Sequence, residues 1–121
     1  MIRTWTLPRI LLRLEGLALF AAALVVYLDR DYSLLLAAAL FLAPDVSFAG
    51  YLAGPRIGSY VYNAVHTLVG PLALGAVGVV ADERAAVAIA LVWLGHIGMD
   101  RALGYGLKYE TAFKDTHLER V

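Results

Sequence analysis

The chain has 121 residues, of which 61% are hydrophobic and 17% are charged. A soluble domain is about half apolar and a quarter charged, so this composition excludes an ordinary soluble fold and indicates a surface covered by lipid. Ten basic residues balance ten acidic ones, which leaves no basic excess for binding nucleic acid. Cysteine is absent, so thiolate metal sites and cysteine nucleophiles are excluded.

Apolar runs separated by charged residues divide the chain at the length that a membrane-spanning helix needs. Crossing about 30 Å of hydrocarbon at 1.5 Å per residue takes roughly 20 residues. The first run contains Glu15 and has no small-residue cleavage pattern, so we expect a retained helix rather than a signal peptide. We predict an all-α polytopic membrane protein, a single domain with four transmembrane helices in a compact bundle. The predicted spans are residues 10–28, 33–53, 57–81 and 85–105, followed by a short tail at 106–121.

Two local features refine this prediction. Pro44 lies inside the second span and predicts a kink there, because proline removes a backbone donor and clashes with the preceding turn. Arg56 joins spans two and three, and most other basic residues lie before span one or after span four. Because Lys and Arg are retained on the cytoplasmic side, we expect both termini to be cytoplasmic and the protein to be integral to the inner membrane.

Ionisable side chains occur inside the predicted spans, where each costs a few kcal/mol and is therefore a candidate functional residue. Counted from the cytoplasmic end of each span, all lie roughly 8–14 Å deep, which predicts one shared polar layer. His96 and Asp100 share a helix face at i,i+4. The alternative is that Glu15 or Asp100 only pairs with a neighbouring arginine, and that a histidine is an interhelical hydrogen bond. The residues of this layer are Glu15, Asp45, His66, His96 and Asp100, with Asn63 as a neutral neighbour.

Two histidines and up to three carboxylates without thiolate suit zinc, manganese or iron, and helical bundles commonly house such sites. A metal would lower the pKa of water, and a neighbouring carboxylate, either Glu15 or Asp100, could accept the proton. Arg101 adjoins this layer, and His117 in the tail is near enough in sequence to fold back over it as a lid. Haem with His66 and His96 as axial ligands is the alternative cofactor.

Several motifs carry a resemblance to known families: Arg13-Leu14-Glu15-Gly16, Ala43-Pro44-Asp45, Tyr62-Asn63-Ala64-Val65-His66 and Gly95-His96-Ile97-Gly98-Met99-Asp100-Arg101. With the tail motifs they are similar, over nearly the whole chain, to the domain-of-unknown-function 4260 family of small bacterial membrane proteins. That family implies no established activity.

A second resemblance implies a chemical activity. Pro44-Asp45, His66-Thr67 and His96-x-x-x-Asp100 follow the order of motifs in membrane-bound metal-dependent hydrolases of the LexA-binding inner-membrane type. This likeness implies a metal-binding set of Asp45, His66, His96 and Asp100. Tyr62-Asn63 replaces the usual His-Arg, and Val46-Ser47 stands where a second acid is common. We therefore expect one metal rather than two, with Glu15 or His117 completing the site.

These observations favour a metal-binding membrane protein, and among its activities a metal-dependent hydrolase acting near the cytoplasmic face on a phosphoester, a small molecule or a lipid-derived substrate. Three other classes stay open: a proton- or ion-coupled carrier, a haem protein and a structural membrane subunit. A carrier with only four spans would need to form a homo-oligomer. The lipid bilayer is the expected partner in every case.

Overall fold

The computed structural model describes residues 5–121 and is mostly helical, with no strand in that range beyond one isolated bridge. Four helices are long and apolar enough to cross a membrane, which confirms the predicted all-α bundle. Many of their large apolar side chains face outward, as with Leu52 and Val80, which are 93% and 88% exposed. Such a surface is stable only in contact with lipid. The four helices are Leu7–Asp29, Leu34–Ala53, Pro55–Val80 and Arg84–Leu103.

The first and last of these helices, α1 (Leu7–Asp29) and α5 (Arg84–Leu103), form the closest pair in the bundle. They cross at Gly16 and Gly98, where the two backbones touch. A Cβ on Gly98 would lie 2.7 Å from the Gly16 carbonyl oxygen and 2.6 Å from the Phe20 nitrogen. Small residues permit this approach, which maximises packing where the hydrophobic effect does not favour association.

The second membrane helix changes character at Pro44. It begins as α2 (Leu34–Leu40), whose first turn is capped by the Ser33 hydroxyl, and continues as a 3-10 helix (Ala43–Ala53). Proline has no N–H for the α-helical hydrogen bond and crowds the carbonyl four residues earlier. The predicted interruption is thus confirmed. A 3-10 helix of 11 residues is unusually long, and such stretches often mark functional segments.

The third membrane helix is also broken, which the sequence did not predict. It consists of α3 (Pro55–His66) and α4 (Val69–Val80), separated at Thr67 by an extended residue with φ −82° and ψ 154°. The break frees carbonyl groups at the end of α3, and side chains of α5 satisfy two of them. The Trp93 indole N–H donates to Val65 O at 2.6 Å, and the Arg101 guanidinium donates to His66 O at 3.0 Å.

The tail folds back onto α3 instead of extending into solvent. The Asn63 side chain forms two hydrogen bonds with the backbone of Lys108, one to its carbonyl and one from its N–H, each 2.7 Å long. Lys108 and Thr116 pair as the isolated bridge, and the chain ends in α6 (His117–Arg120). Leu118 is 2% exposed. The tail is therefore packed against the bundle next to the end of α3.

Candidate metal centre

Four of the ionisable side chains in the predicted layer meet at one point: Asp45, His66, His96 and Asp100. Each contributes one nitrogen or oxygen atom, and all four atoms lie within 4.8 Å of one another. Asp45 lies in the first turn of the 3-10 helix and His66 is the last residue of α3. His96 and Asp100 occupy adjacent turns of α5, so three of the four membrane helices supply ligands.

Five of the six distances between these atoms approach the distances between the ligands of a tetrahedral metal ion. The His66 and His96 Nε2 atoms are 3.3 Å apart. His96 Nε2 lies 3.2 Å from Asp45 Oδ1 and 3.2 Å from Asp100 Oδ2, and the corresponding distances from His66 Nε2 are both 3.5 Å. Ligands about 2.0–2.1 Å from a tetrahedral ion lie about 3.3–3.4 Å from one another. Charge-assisted hydrogen bonds are shorter, at about 2.7–2.9 Å, so these contacts resemble the edges of a coordination tetrahedron more closely.

The tautomer of His66 supports the same arrangement. Its Nδ1 lies 2.9 Å from the Tyr62 carbonyl oxygen, which can only accept a hydrogen bond. The proton therefore resides on Nδ1, and in the neutral ring Nε2 presents a lone pair to the cluster. The buried Nδ1 of His96 has no hydrogen bond of regular geometry among residues 5–121, although the Phe41 backbone lies near the ring.

Aromatic side chains fix both imidazole rings. Tyr62 stacks on His66 with ring centroids 3.7 Å apart and planes 6° from parallel, and Phe48 stacks on the other face of Tyr62. Phe41 meets the His96 ring edge to face at 5.7 Å. These contacts limit rotation of the rings, so the ligand atoms are held in position before an ion binds.

The site is closed on most sides. His96 and His66 are 0% and 3% exposed and the Asp100 side chain is 12% exposed, whereas the Asp45 side chain is 34% exposed. Asp45 is therefore the ligand through which solvent or another molecule reaches the cluster. Two carboxylates and two neutral imidazoles carry a charge of −2, which a divalent cation would balance.

Lys108 is a neighbour of the site that the sequence reasoning missed. It is 6% exposed, and its ammonium lies 3.8 Å from the ring centroid of Phe113 and 4.8 Å from that of Tyr62. Burial lowers the pKa of Lys108, and the negative charge of Asp100 partly offsets that effect. Its position in a polar tail gave no signal, because its burial depends on aromatic rings from α3 and the tail that meet only in the fold.

The other predicted site residues occupy different positions. Asn63 binds the tail, and Arg101 donates to the His66 carbonyl, so both touch residues next to the ligands without joining them. The structure does not bring Glu15 into the cluster, since it is exposed on α1 and lines a separate groove. His117 also lines that groove, and its Nδ1 accepts a hydrogen bond from the Leu107 N–H at 2.9 Å. Neither Glu15 nor His117 completes the four-ligand set.

The geometry disfavours haem. Axial histidines lie on opposite faces of a macrocycle, with the porphyrin plane between them. Here the two Nε2 atoms are 3.3 Å apart and both carboxylates converge on the same point. A porphyrin would have to displace Asp45 and Asp100 to enter.

Comparisons with known proteins identify the family of the chain. Neither the curated proteins nor the solved structures contain a match to the chain. Residues 9–121 match the family described as a domain of unknown function, DUF4260. The match covers all but the first two residues of α1, the other helices, the four converging side chains and the tail. The chain therefore belongs to the DUF4260 family.

Proposed function

We propose that the protein binds one divalent metal ion within the membrane through Asp45, His66, His96 and Asp100. The observation that carries this proposal is the set of five distances of 3.2–3.5 Å between the imidazole and carboxylate atoms. Zinc is the best fit, because it prefers four ligands in a tetrahedron and accepts both nitrogen and oxygen. Manganese and iron accept the same ligands but favour more than four of them.

We infer further that the site is catalytic and that its reaction is hydrolysis. Catalytic zinc sites have three protein ligands and one position for water, and here the Asp45 side chain, one-third exposed on a 3-10 helix, is the ligand that water could replace. When bound, a divalent metal acts as a Lewis acid and lowers the pKa of water. Asp45 is placed to accept a proton from an approaching water molecule. His66 and His96 hold the centre, and Lys108 adds positive charge beside it, which favours an anionic phosphoester or a lipid-derived substrate.

We place this activity at the cytoplasmic face of the inner membrane, with both termini on that side, because most basic residues lie at the ends of the chain and at Arg56. The candidate site lies at the same end of the bundle as the tail, since Asn63 and Lys108 join the tail to α3.

Metal content and hydrolysis measured on one preparation test both parts of the proposal. We expect elemental analysis of the detergent-purified protein to give about one zinc per chain. We also expect the loaded protein to hydrolyse a chromogenic phosphoester, with loss of activity on chelation and recovery on adding zinc. Stoichiometric metal without hydrolysis of phosphoesters or carboxylic esters would contradict the enzymatic part. Absence of bound metal after incubation with zinc, manganese or iron would contradict the whole proposal.

The tail should control how fast metal leaves. Replacing Asn63 by alanine removes both hydrogen bonds to Lys108, so the tail should open more often and metal should dissociate about tenfold faster, a typical effect of groups that support ligands. Truncation after Tyr109 should have at least the same effect. Lys114→Ala, a change at an exposed residue of the tail, is the control and should leave the rate unchanged. Equal dissociation rates in all four proteins, followed with a fluorescent chelator, would show that the tail does not cover the site.

A further inference from the structure

A second polar cavity lies apart from the four converging ligands. It has a volume of about 290 Å³ and is bounded by α1, the α3–α4 junction, α5 and the tail. Glu15 and Arg101 line it together with Thr67 and His117. The remaining wall is apolar, formed by glycine, leucine and isoleucine side chains, including Leu12, Leu19, Leu68, Ile97 and Leu107. We call this cavity the Glu15–Arg101 groove.

The cation in this groove forms no direct ion pair with residues 5–121. Arg101 is half-buried, and its single hydrogen bond is the one to the His66 carbonyl. No carboxylate of residues 5–121 lies within 4.0 Å of its guanidinium, so four of its five N–H donors have no protein acceptor. A cation at membrane depth is costly unless an anion compensates it.

An anion in the same groove is also unpaired. Glu15 lies on α1, and within the described part of the chain its carboxylate takes part in no hydrogen bond or ion pair. It does not pair with Arg101 across the groove, so the two charges are more than 4.0 Å apart. A purely anionic ligand would satisfy Arg101 and be repelled by Glu15, and a purely cationic ligand would meet the opposite problem.

Two further donors lie on the Arg101 side of this charge pattern. Since His117 Nδ1 accepts from the Leu107 N–H, the neutral ring carries its proton on Nε2 and can donate from there. Burial, and secondarily the charge of Arg101, lower the pKa of His117, which keeps the ring neutral at pH 7. The Thr67 hydroxyl also lines the groove and has no hydrogen bond to residues 5–121.

We propose that the Glu15–Arg101 groove binds the head group of an aminophospholipid, with the phosphate on Arg101 and the primary ammonium on Glu15. Arg binds phosphate through two parallel hydrogen bonds, and Glu accepts from an ammonium. The leucine and isoleucine side chains contact the glycerol and the first carbons of an acyl chain. A volume of about 290 Å³ is near the lower end for ligand pockets and holds a head group rather than a whole lipid. This inference does not depend on the proposed metal site.

Lipid binding to the purified full-length protein in neutral detergent, measured by native mass spectrometry, tests the proposal. We expect dioleoyl phosphatidylethanolamine to bind about tenfold more tightly than dioleoyl phosphatidylglycerol, which lacks the ammonium. Glu15→Gln should abolish that preference, and Leu19→Trp, which fills the groove without removing a charge, should weaken both lipids. Glu83→Gln, just before the start of α5, and Arg30→Gln, just after the end of α1, are exposed changes at the opposite end of the bundle and should leave the preference intact.

The outcomes separate this proposal from its rivals. Equal affinity for the two lipids, or a preference that survives Glu15→Gln, would overturn it, and tighter binding of phosphatidylglycerol would identify a site for anionic lipid instead. Free phosphoethanolamine should bind at least tenfold more weakly than the lipid; equal binding would make the groove a site for a soluble ligand. Metal content is measured on the same samples, so that loss of lipid selectivity can be distinguished from loss of metal at the proposed site.

Discussion

Replacing His96 or Asp100 by alanine is expected to remove metal binding. Both side chains belong to the continuous helix α5, and each supplies one of four converging atoms. Without either one, a single ligand on α5 and two ligands from the broken helices must hold the ion. Loss of a supporting residue around a metal costs about 10–100-fold in affinity, and we expect loss of a direct ligand to cost at least about 100-fold. Metal content after gel filtration in detergent measures the effect.

The matched control for this prediction is His117→Ala. His117 is the third histidine of the chain, but it lies in the tail and its Nδ1 is engaged by the Leu107 N–H. This variant should retain about one metal per chain. Unchanged metal content in His96→Ala and Asp100→Ala, with both proteins folded by circular dichroism, would show that the four side chains form only a hydrogen-bonded contact between helices.

Gly98→Ala should destabilise the bundle, whereas Gly75→Ala should not. The new Cβ would lie 2.6 Å from a backbone nitrogen of α1 and 2.7 Å from a backbone oxygen, and backbone cannot move aside as a flexible side chain can. Overpacking of this kind typically costs about 1–3 kcal/mol. We expect a fall of several degrees in the thermal unfolding midpoint in detergent.

Gly75→Ala is the control for the glycine prediction. A Cβ there would lie 3.4 Å from the Cβ of Ala90, which is ordinary van der Waals contact, and alanine favours the helix over glycine. Its midpoint should be equal to that of the wild type or slightly higher. If Gly98→Ala and Gly75→Ala unfold at the same temperature, close contact of α1 and α5 does not limit stability.

The converging side chains could be predicted from depth because ionisable groups in hydrocarbon have few partners and so tend to meet. Depth gives the height of a residue along its helix but not the direction in which it points. Glu15 has the same height as the others, yet the next residue, Gly16, faces α5. Consecutive helix residues differ by about 100°, so Glu15 turns away from the ligands. The rotation of α1 is set by the Gly16–Gly98 contact, which becomes evident only when the helices are packed.

The break after His66 has a signal in the local sequence, although the predicted third span runs through it. Pro71 lies four residues after Thr67 and cannot donate the α-helical hydrogen bond to the Thr67 carbonyl, just as Pro44 cannot donate to that of Leu40. The free carbonyls at the end of α3 are stabilised by Trp93 and Arg101, which lie about thirty residues further along the chain. Proline therefore weakens the helix at this point, and tertiary contacts stabilise the carbonyls that the break leaves free.

The two helix breaks leave the candidate centre with two ligands on a continuous helix and two ligands next to a break. His96 and Asp100 lie on the continuous helix α5. Asp45 lies just after the break at Pro44, and His66 lies just before the break at Thr67. An ion bound by all four side chains would cross-link the two broken helices to α5 and so stiffen the membrane domain. Ions of different radius would be accommodated by backbone movement at the two breaks, while α5 keeps its shape. Discrimination between metals would then depend on the stiffness of the residues around Pro44 and Thr67, although neither contributes an atom to the ion.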